Sequence, residues 1–489
     1  MINDLVLGLD FGTSSVKALF IGIGGEILKQ VAVEITTTST EDFFAEQRAE
    51  DYLEALSQIS RNNVELISHV ISIGLSGHTP SVVCVDRDGN SVRPVMTWQD
   101  NRARAEADDL FENYGNPFEI VGTSLPWSAS ACPAKLLWLS RHEPESVAKT
   151  RWVLQPKDFV GLHLTGKAIS DPWSSKGICN VLTREPIANL LEFTGWPSEI
   201  VPHLMDGFES RGDVSDEAAG KFGLPVGIPV SVGWSDAMCG MVALNVMNEP
   251  SSFIITGTSA IVGASTTTPP KDGGPIYIIP NTCAPLAISY GPTQSSGSAV
   301  SWISKLLEIS HDEAISLAEH SQNPDLPIFL PYIYGERAPL WRSDLQGGFY
   351  GLGGAINKSD LAASVLEGIS FAERQVIETS ENLNSSVNSL IKLGGHAGND
   401  QRWERIRLKT LGKEISRYED TDITTRGSAI LAHALITKNL SQSTQVLSVT
   451  PIKSTPSEPQ KKYSMDKYEE FLLAQREALR LADYKKKRG

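Results

Sequence analysis

The chain has 489 residues, more than one ordinary hydrophobic core accommodates, and its 41% hydrophobic content supplies material for two large domains. Its 43 basic and 58 acidic side chains give a net charge of -15, which argues against nucleic acid or an anionic membrane as partner and favours a small-molecule substrate. The five cysteines (Cys84, Cys132, Cys179, Cys239, Cys283) are odd in number, scattered and free of any CxxC pair, so they read as buried thiols of a cytoplasmic protein.

The first apolar run, Leu5 to Leu9, stops at Asp10. No basic segment precedes it, and Lys17 and Glu26 interrupt the apolar stretch beyond it, so it is expected to be neither a signal peptide nor a membrane anchor. Valine-rich "SVVCVD" and "PVSVGWSD" read as strands, whereas "RARAEADDLFENYG" reads as a helix that stops at Gly115. "PAKLLWLSRHEP" begins on a proline suited to a first helical turn and ends before Pro144. "SDLAASVLEGISFAERQVIE" reads as a helix capped by Ser359 or Asp360. Alternation of this kind predicts an α/β protein.

Two stretches open alike. In "LVLGLDFGTSSVKALF" an apolar run enters Gly12-Thr13-Ser14 and another comes after it. In "SSFIITGTSAIVGAST" the same order surrounds Gly257-Thr258-Ser259, 245 residues later. The repeat suggests duplication of one fold, and the turn residues of "NVMNEPSS" place the boundary near 245 to 250. The expected domains are therefore 1–246, 247–440 and a polar connector with a terminal helix over 441–489. The basic end "DYKKKRG" is read as solvated and without function.

A strand-glycine-hydroxyl-strand turn presents backbone N–H groups and hydroxyls on one side and admits an anion close to the backbone, as a phosphate cradle requires; two ordinary hairpin turns are the alternative. Asp10, just before the first turn, is suited to hold Mg²⁺ directly or through water. Lys17 is within reach of the same phosphate or faces solvent. There is no GxxxxGK[ST] loop, no GxGxxG after the first strand, no kinase HRD or DFG, and "GLSGH" sets its glycine one place too early for a serine-hydrolase elbow.

These residues carry a resemblance. "LGLDFGTSSVK", Arg93-Pro94 followed by "TWQDNR", "LQPKDFVGLHLTG", "GWSDAMCG", "TGTSA", "FLPYIYGERAPLW", "GGFYGL" and "LGGHAGNDQRW" occur in the order found in the FGGY carbohydrate kinases, most like their xylulokinase-like branch, over residues 5 to 440. The resemblance implies two ribonuclease-H-like (actin-like ATPase) domains with an interdomain cleft. It implies transfer of the γ-phosphoryl group of ATP, with Mg²⁺, to a sugar or polyol hydroxyl, the domains closing on substrate to exclude water.

Such transfer needs a base at the acceptor hydroxyl. Asp236, at the end of the apolar "IPVSVGWSD", matches the family's base; alone it also reads as the N-cap of "AMCGMVALNV". Asp10 resembles the family's magnesium aspartate, and Thr13, with Ser14 and Lys17 beside it, the first phosphate loop. Gly257 and Thr258 resemble the second loop, with Ala260 where many relatives have glycine. Gly297, Gly394, Gly395 and Asn399 fall where the family wraps the nucleotide. For the sugar, Gly77, His78, Thr79, Trp98, Asp100 and Arg102 form the expected wall together with Asp236. Taken singly, His78 reads as a structural turn residue, Trp98 as core, and Asp100 with Arg102 as a surface ion pair. Glu336 and Arg337 of "GERAP" read as a brace between domains.

Xylulokinases commonly show Gln-Met-His where this chain has His78-Thr79-Pro80, and asparagine where it has Ala237, so D-xylulose is the first acceptor expected among several. Ribulose, another ketose, glycerol and erythritol are the alternatives. Outside the enzyme class, an actin-like sensor or chaperone would bind ATP without phosphorylating sugar. Expected partners are thus a small-molecule sugar or polyol, with no nucleic acid and no membrane; a homodimer is one assembly open to it.

Overall fold

The computed structural model describes residues 4–39, 43–124, 126–270, 274–384, 388–420 and 422–487. It contains two compact units. The first comprises 1–248, 279–285 and 423–448; the second comprises 249–278, 286–422 and 449–489. Both units are discontinuous, where the sequence suggested unbroken domains. Ile423–Thr437 and Leu440–Leu447 are helices of the first unit, and Ile452–Ser454 is an edge strand of the second unit's sheet. The segment 441–457 is therefore more than a connector.

The first unit is built on a sheet ordered Ser210–Asp213, Pro229–Ser231, Val70–Gly77, Leu5–Phe11, Ser15–Gly22, Ile27–Glu34, with Trp234–Ser235 also pairing on Val70–Gly77. Leu5–Phe11 runs antiparallel to Ser15–Gly22 and parallel to Val70–Gly77. All seven residues of Leu5–Phe11 are buried, as a strand covered on both faces should be. Leu5, Leu7, Leu9 and Phe11 enter one core with Tyr52, Leu56 and Phe159. The other face receives the helix Ile423–Thr437 at very short range. A Cβ on Gly74 would lie 1.7 Å from the Ser428 carbonyl oxygen, and one on Gly8 would lie 2.5 Å from that of Thr425. These two glycines let helix backbone rest on strand backbone. Sequence reading could not see this helix as a partner of the first strand, because some 400 residues separate them.

The second unit repeats the plan. Its sheet is ordered Tyr277–Ile279, Ala287–Pro292, Ala260–Thr266, Ser252–Thr256, Leu390–Gly395, Glu414–Arg417, Ile452–Ser454. An antiparallel hairpin is again followed by two parallel neighbours and an antiparallel edge. The two glycine turns occupy equivalent places: Gly12 N–H donates to Ser15 O at 3.0 Å and Gly257 N–H to Ser259 O at 2.8 Å. The helix Lys358–Leu383 is capped by Asn357, whose side chain accepts from the Ser359 and Asp360 amides. Asp360 is the reciprocal partner of that capping box, so the cap lies two to three residues earlier than the sequence suggested. The terminal helix Glu458–Lys486 seats Tyr468 and Phe471 against Leu330, Tyr332 and Phe371. Truncating fully buried Phe471 to alanine would cost about 3–5 kcal/mol.

Candidate active site

In the first unit two carboxylates stand at the ends of strands that pair in parallel with Val70–Gly77, Asp10 opposite Ser76 and Asp236 just after Ser235, which is opposite Gly77. Asp10 faces Ser76 across one ladder and Lys17 across the other. It is 6% exposed; its Oδ1 accepts from Ser76 Oγ at 2.7 Å and its Oδ2 from Thr424 Oγ1 at 3.0 Å. Beyond it, the turn is pinned from outside: the Thr13 carbonyl accepts from Thr37 Oγ1 at 2.6 Å and from Gln47 Nε2 at 2.9 Å. Ser14 is exposed, and its carbonyl accepts from the Ile35 amide at 3.0 Å.

Asp236 opens the helix Asp236–Ala243, directly after Trp234–Ser235. Ser235, not Asp236, is the N-cap, its hydroxyl accepting from Met238 N at 3.4 Å. Asp236 Oδ1 accepts from the Ala237 amide at 2.7 Å. Burial, and then the negative charge of Asp10, raise its carboxyl from 3.8 to about 7, against the pull of the Ala237 amide and of Lys176. Released from the duty of capping, a carboxyl that titrates near neutrality is matched to accepting a proton from an alcohol.

The expected sugar wall divides. Trp98 is 38% exposed and offers an aromatic face, so it is not the core residue that its type alone suggested. Thr79 is half-buried. His78 is enclosed: Nδ1 lies 2.7 Å from Ser81 Oγ, while Nε2 lies 3.2 Å from both Tyr52 Oη and Gln47 Oε1. Burial, reinforced by Lys135, drives its pKa down to about 3. It is a neutral brace for Gln47, and through Gln47 for the Thr13 turn. Gly77 is buried too; a Cβ there would sit 3.3 Å from Lys157.

Asp100 and Arg102 form a buried pair, not a surface one. The Asp100 side chain is fully buried and accepts from the Ala45 amide at 2.8 Å and from Arg102 Nη2 at 2.6 Å. Arg102 also donates to Glu46 at 2.6 Å and lies 3.6 Å over the Phe44 ring. Their donors and acceptors are used to hold the loop that presents Trp98.

In the second unit the glycine turn and a helix start come together. The Gly297 amide donates to the Gly257 carbonyl at 3.1 Å and the Ser298 amide to the Thr258 carbonyl at 3.0 Å. A Cβ on Gly297 would lie 2.8 Å from that Gly257 oxygen. Gly257, Thr258, Gly297 and Ser298 line a cavity of about 700 Å³ closed by His311, Asp312, His396 and Asp400. The cavity has room for a ligand of nucleotide size. The N-terminus of Gly297–Leu307 on its wall favours an anion. Gly394 and Gly395 support the wall from behind: the Gly394 carbonyl accepts from Thr256 Oγ1 at 3.0 Å, and a Cβ on Gly395, at φ +90°, would meet the Thr256 carbonyl at 2.3 Å. Asn399 is half-buried, its Oδ1 enclosed with no protein partner.

His311 and Asp312 escaped sequence reading. Their signal was the capping box of Ser310 and Glu313, which fixes the start of the helix His311–His320 and thereby aims its first turn. Burial, and then His396, hold His311 below the usual histidine range. Glu336 and Arg337 brace the approach to Gly297 within this unit: Glu336 Oε1 accepts from the Gln294 amide at 2.6 Å, and Arg337 Nη2 donates to the Thr293 carbonyl at 2.6 Å.

All five cysteines are buried and free. Among the described residues no group of three or more metal-ligating side chains occurs, and no helix is long and apolar enough to cross a membrane.

Comparison with known proteins gives a consistent picture. Residues 5–243 match the N-terminal domain, and 252–435 the C-terminal domain, of the FGGY family of carbohydrate kinases. The chain is 24% identical to the xylulose kinase of Staphylococcus xylosus over 87% of this chain and 90% of that one. It is also 24% identical to the gluconokinase of Bacillus subtilis, over 88% and 87%. The crystal structure of xylulose kinase from Rhodospirillum rubrum superposes with a TM-score of 0.88 at 22% identity, covering 98% of this chain and 100% of that one.

Proposed function

Because the chain belongs to the FGGY family of carbohydrate kinases, with the actin-like ATPase fold of that family, we propose that it transfers the γ-phosphoryl group of MgATP to a hydroxyl of a ketose, D-xylulose first. The observation that carries this reading is the pairing of two unlike carboxylates in the first unit. Asp236 titrates near neutrality, whereas Asp10 is held by two hydroxyl donors.

Asp236 accepts the proton of the reacting hydroxyl as that oxygen bonds to phosphorus, and its amide contact to Ala237 keeps the receiving carboxylate in one orientation. Trp98 stacks on the C–H face of the sugar. Asp10 suits a magnesium ion that keeps most of its waters, since one oriented carboxylate beside a phosphate turn is what such an ion takes from protein. A cation held at Asp10 would offset the negative charge that Asp10 exerts on Asp236. Bound there, the ion would neutralise charge on phosphate oxygens. In the second unit, the Gly257–Thr258 turn and the N-terminus of Gly297–Leu307 hold the nucleotide phosphates, while His311, His396 and Asn399 stand by for its base and ribose.

The choice of D-xylulose is supported by xylulose kinases among the chain's relatives, in Staphylococcus xylosus and others. The test is ADP release with MgATP across ketopentoses, ketohexoses, aldoses and polyols, with Asp236→Ala in parallel. A sugar that stimulates only the unmutated protein supports the kinase; robust sugar phosphorylation by Asp236→Ala rejects Asp236 as base.

A further inference from the structure

The Thr13 carbonyl accepts two hydrogen bonds, from Thr37 Oγ1 at 2.6 Å and from Gln47 Nε2 at 2.9 Å, which is what its two lone pairs can take. The Thr13–Ser14 peptide is trans, so its N–H points opposite to that carbonyl. Pinning the oxygen on one side therefore aims the Ser14 amide to the other, and this amide has no hydrogen-bond partner among the described residues. Thr37 and Gln47 thus set the direction of an amide that the turn can offer to an anion.

Gln47 is itself held. It is 2% exposed, and its Oε1 accepts from Tyr52 Oη at 2.6 Å beside the enclosed His78 ring. It ends Ala45–Gln47, the middle strand of a small sheet whose outer strands are Thr38–Ser39 and Val95–Met96. Thr37 directly precedes one outer strand, and Thr97 and Trp98 directly follow the other. The Ala45 carbonyl accepts from both the amide and the hydroxyl of Thr97 at 3.0 Å, and the Ala45 amide donates to Asp100 at 2.8 Å. One three-residue strand therefore holds the loop of Trp98 through Ala45 and the Thr13 turn through Gln47.

We propose that Gln47 is a positioning residue for phosphoryl transfer, its amide fixing the Thr13 turn against the acceptor loop that the same sheet carries. This rests on the reading of that turn as a phosphate turn and of Trp98 as a sugar contact. Transfer tolerates little displacement between the acceptor oxygen and the phosphoryl group, and two elements referenced to one strand keep their separation. Gln47 is enclosed and acts through the Thr13 peptide, not on a ligand.

The experiment measures kcat and both KM values in the full chain, in Gln47→Met, in Thr37→Val and in the pair, with MgATP and the sugar that most stimulates ADP release. Methionine and valine keep the volume and remove the donor. Each single variant leaves the Thr13 carbonyl one donor, so kcat should fall by about three- to tenfold with the acceptor KM unmoved. The pair leaves it none and should lose more than the product of the two single losses. A role in stability alone leaves the kcat of folded enzyme unmoved, so urea unfolding of each variant accompanies the rates. An unchanged kcat in Gln47→Met, or losses that simply multiply, overturns the proposal. If Gln47→Met does not fold, Tyr52→Phe, which removes only the hydroxyl on Gln47 Oε1, replaces it in the same cycle with the same deciding outcomes. Normal turnover indifferent to Gln47 sinks this inference alone, whereas absence of turnover with every sugar removes the kinase reading beneath it.

Discussion

Asp236→Asn should make the protein more stable and nearly inactive, and the stability gain should depend on pH. The unfolded chain releases this proton near 3.8 and the folded chain near 7. The folded state therefore binds the proton more tightly, and the stability this affinity confers is full below the unfolded value and is lost as pH rises through the folded one. At about 1.4 kcal/mol per decade of proton affinity, Asp236 costs the fold about 4 kcal/mol above pH 7, where it ionises, and about 1.7 kcal/mol at pH 5, where the folded state must take up a proton that the unfolded chain has released. Asparagine cannot ionise and still offers a carbonyl to the Ala237 amide, so the variant escapes that cost. Urea unfolding of both proteins at pH 5 and pH 8 measures it: the variant's advantage should widen by about 3 kcal/mol between them. Turnover by the variant should fall by about 10²–10⁴-fold, and unmutated kcat/KM should drop about tenfold per pH unit below 7. An advantage equal at the two pH values, or a variant less stable at pH 8, would refute the argument that burial and Asp10 hold this carboxyl protonated.

Asp10→Ala should lower turnover and the magnesium dependence of the rate together; an unchanged magnesium titration rejects Asp10 as the metal's carboxylate. Gly297→Ala places a methyl 2.8 Å from the Gly257 oxygen, so the KM for ATP should rise about tenfold with the acceptor KM unmoved, as initial rates against each substrate will show. Arg102→Ala leaves Asp100 buried without its partner and should cost about 3–5 kcal/mol in urea unfolding; a variant of normal stability with a raised acceptor KM would return Arg102 to the sugar wall. Trp98→Ala should raise the acceptor KM while leaving stability within about 0.5 kcal/mol.

The turns and the α/β alternation were legible because their motifs are short and conformationally demanding. Glycine followed by hydroxyls between apolar runs marks a tight turn, so the turns at Gly12 and Gly257 and the α/β alternation could be read directly. Burial of polar side chains was not legible, since it depends on partners distant in sequence. Asp100 and Arg102 have the look of a surface pair until Glu46 and Phe44 arrive from fifty-odd residues away to enclose them. "DPWSSKGICN" has the proline, serine and glycine of an exposed loop, yet every residue from Asp171 to Cys179 is buried. His78 illustrates the same limit in the other direction: the sequence placed it beside the sugar, and Tyr52, Gln47 and Ser81 together consume both of its nitrogens. Helix caps erred by only a few residues, at Ser235 for Asp236 and Asn357 for Asp360, because several cap-forming residues compete within one turn and only geometry selects among them.

The duplicated hairpin also shows where the two units diverge. At the 245-residue offset that aligns Gly12 with Gly257, Asp10 corresponds to Ile255, and the residue across the ladder from it, Lys17 in the first hairpin, is Ile261 in the second. The first turn closes from the Gly12 amide to the Ser15 carbonyl and the second, one residue shorter, from the Gly257 amide to the Ser259 carbonyl, while the charged Asp10–Lys17 rung of the first ladder becomes the apolar Ile255–Ile261 rung of the second. A polyanionic ligand gives a physical reason for this asymmetry. A carboxylate at the second turn would repel the phosphates that its amides are placed to attract, whereas the carboxylate at the first turn is tolerable where a cation accompanies it. Replacing Ile255 by aspartate should therefore weaken ATP binding in isothermal titration, and more so without magnesium than with it. Equal losses in the two conditions would mean that the substitution acts through packing and not through charge.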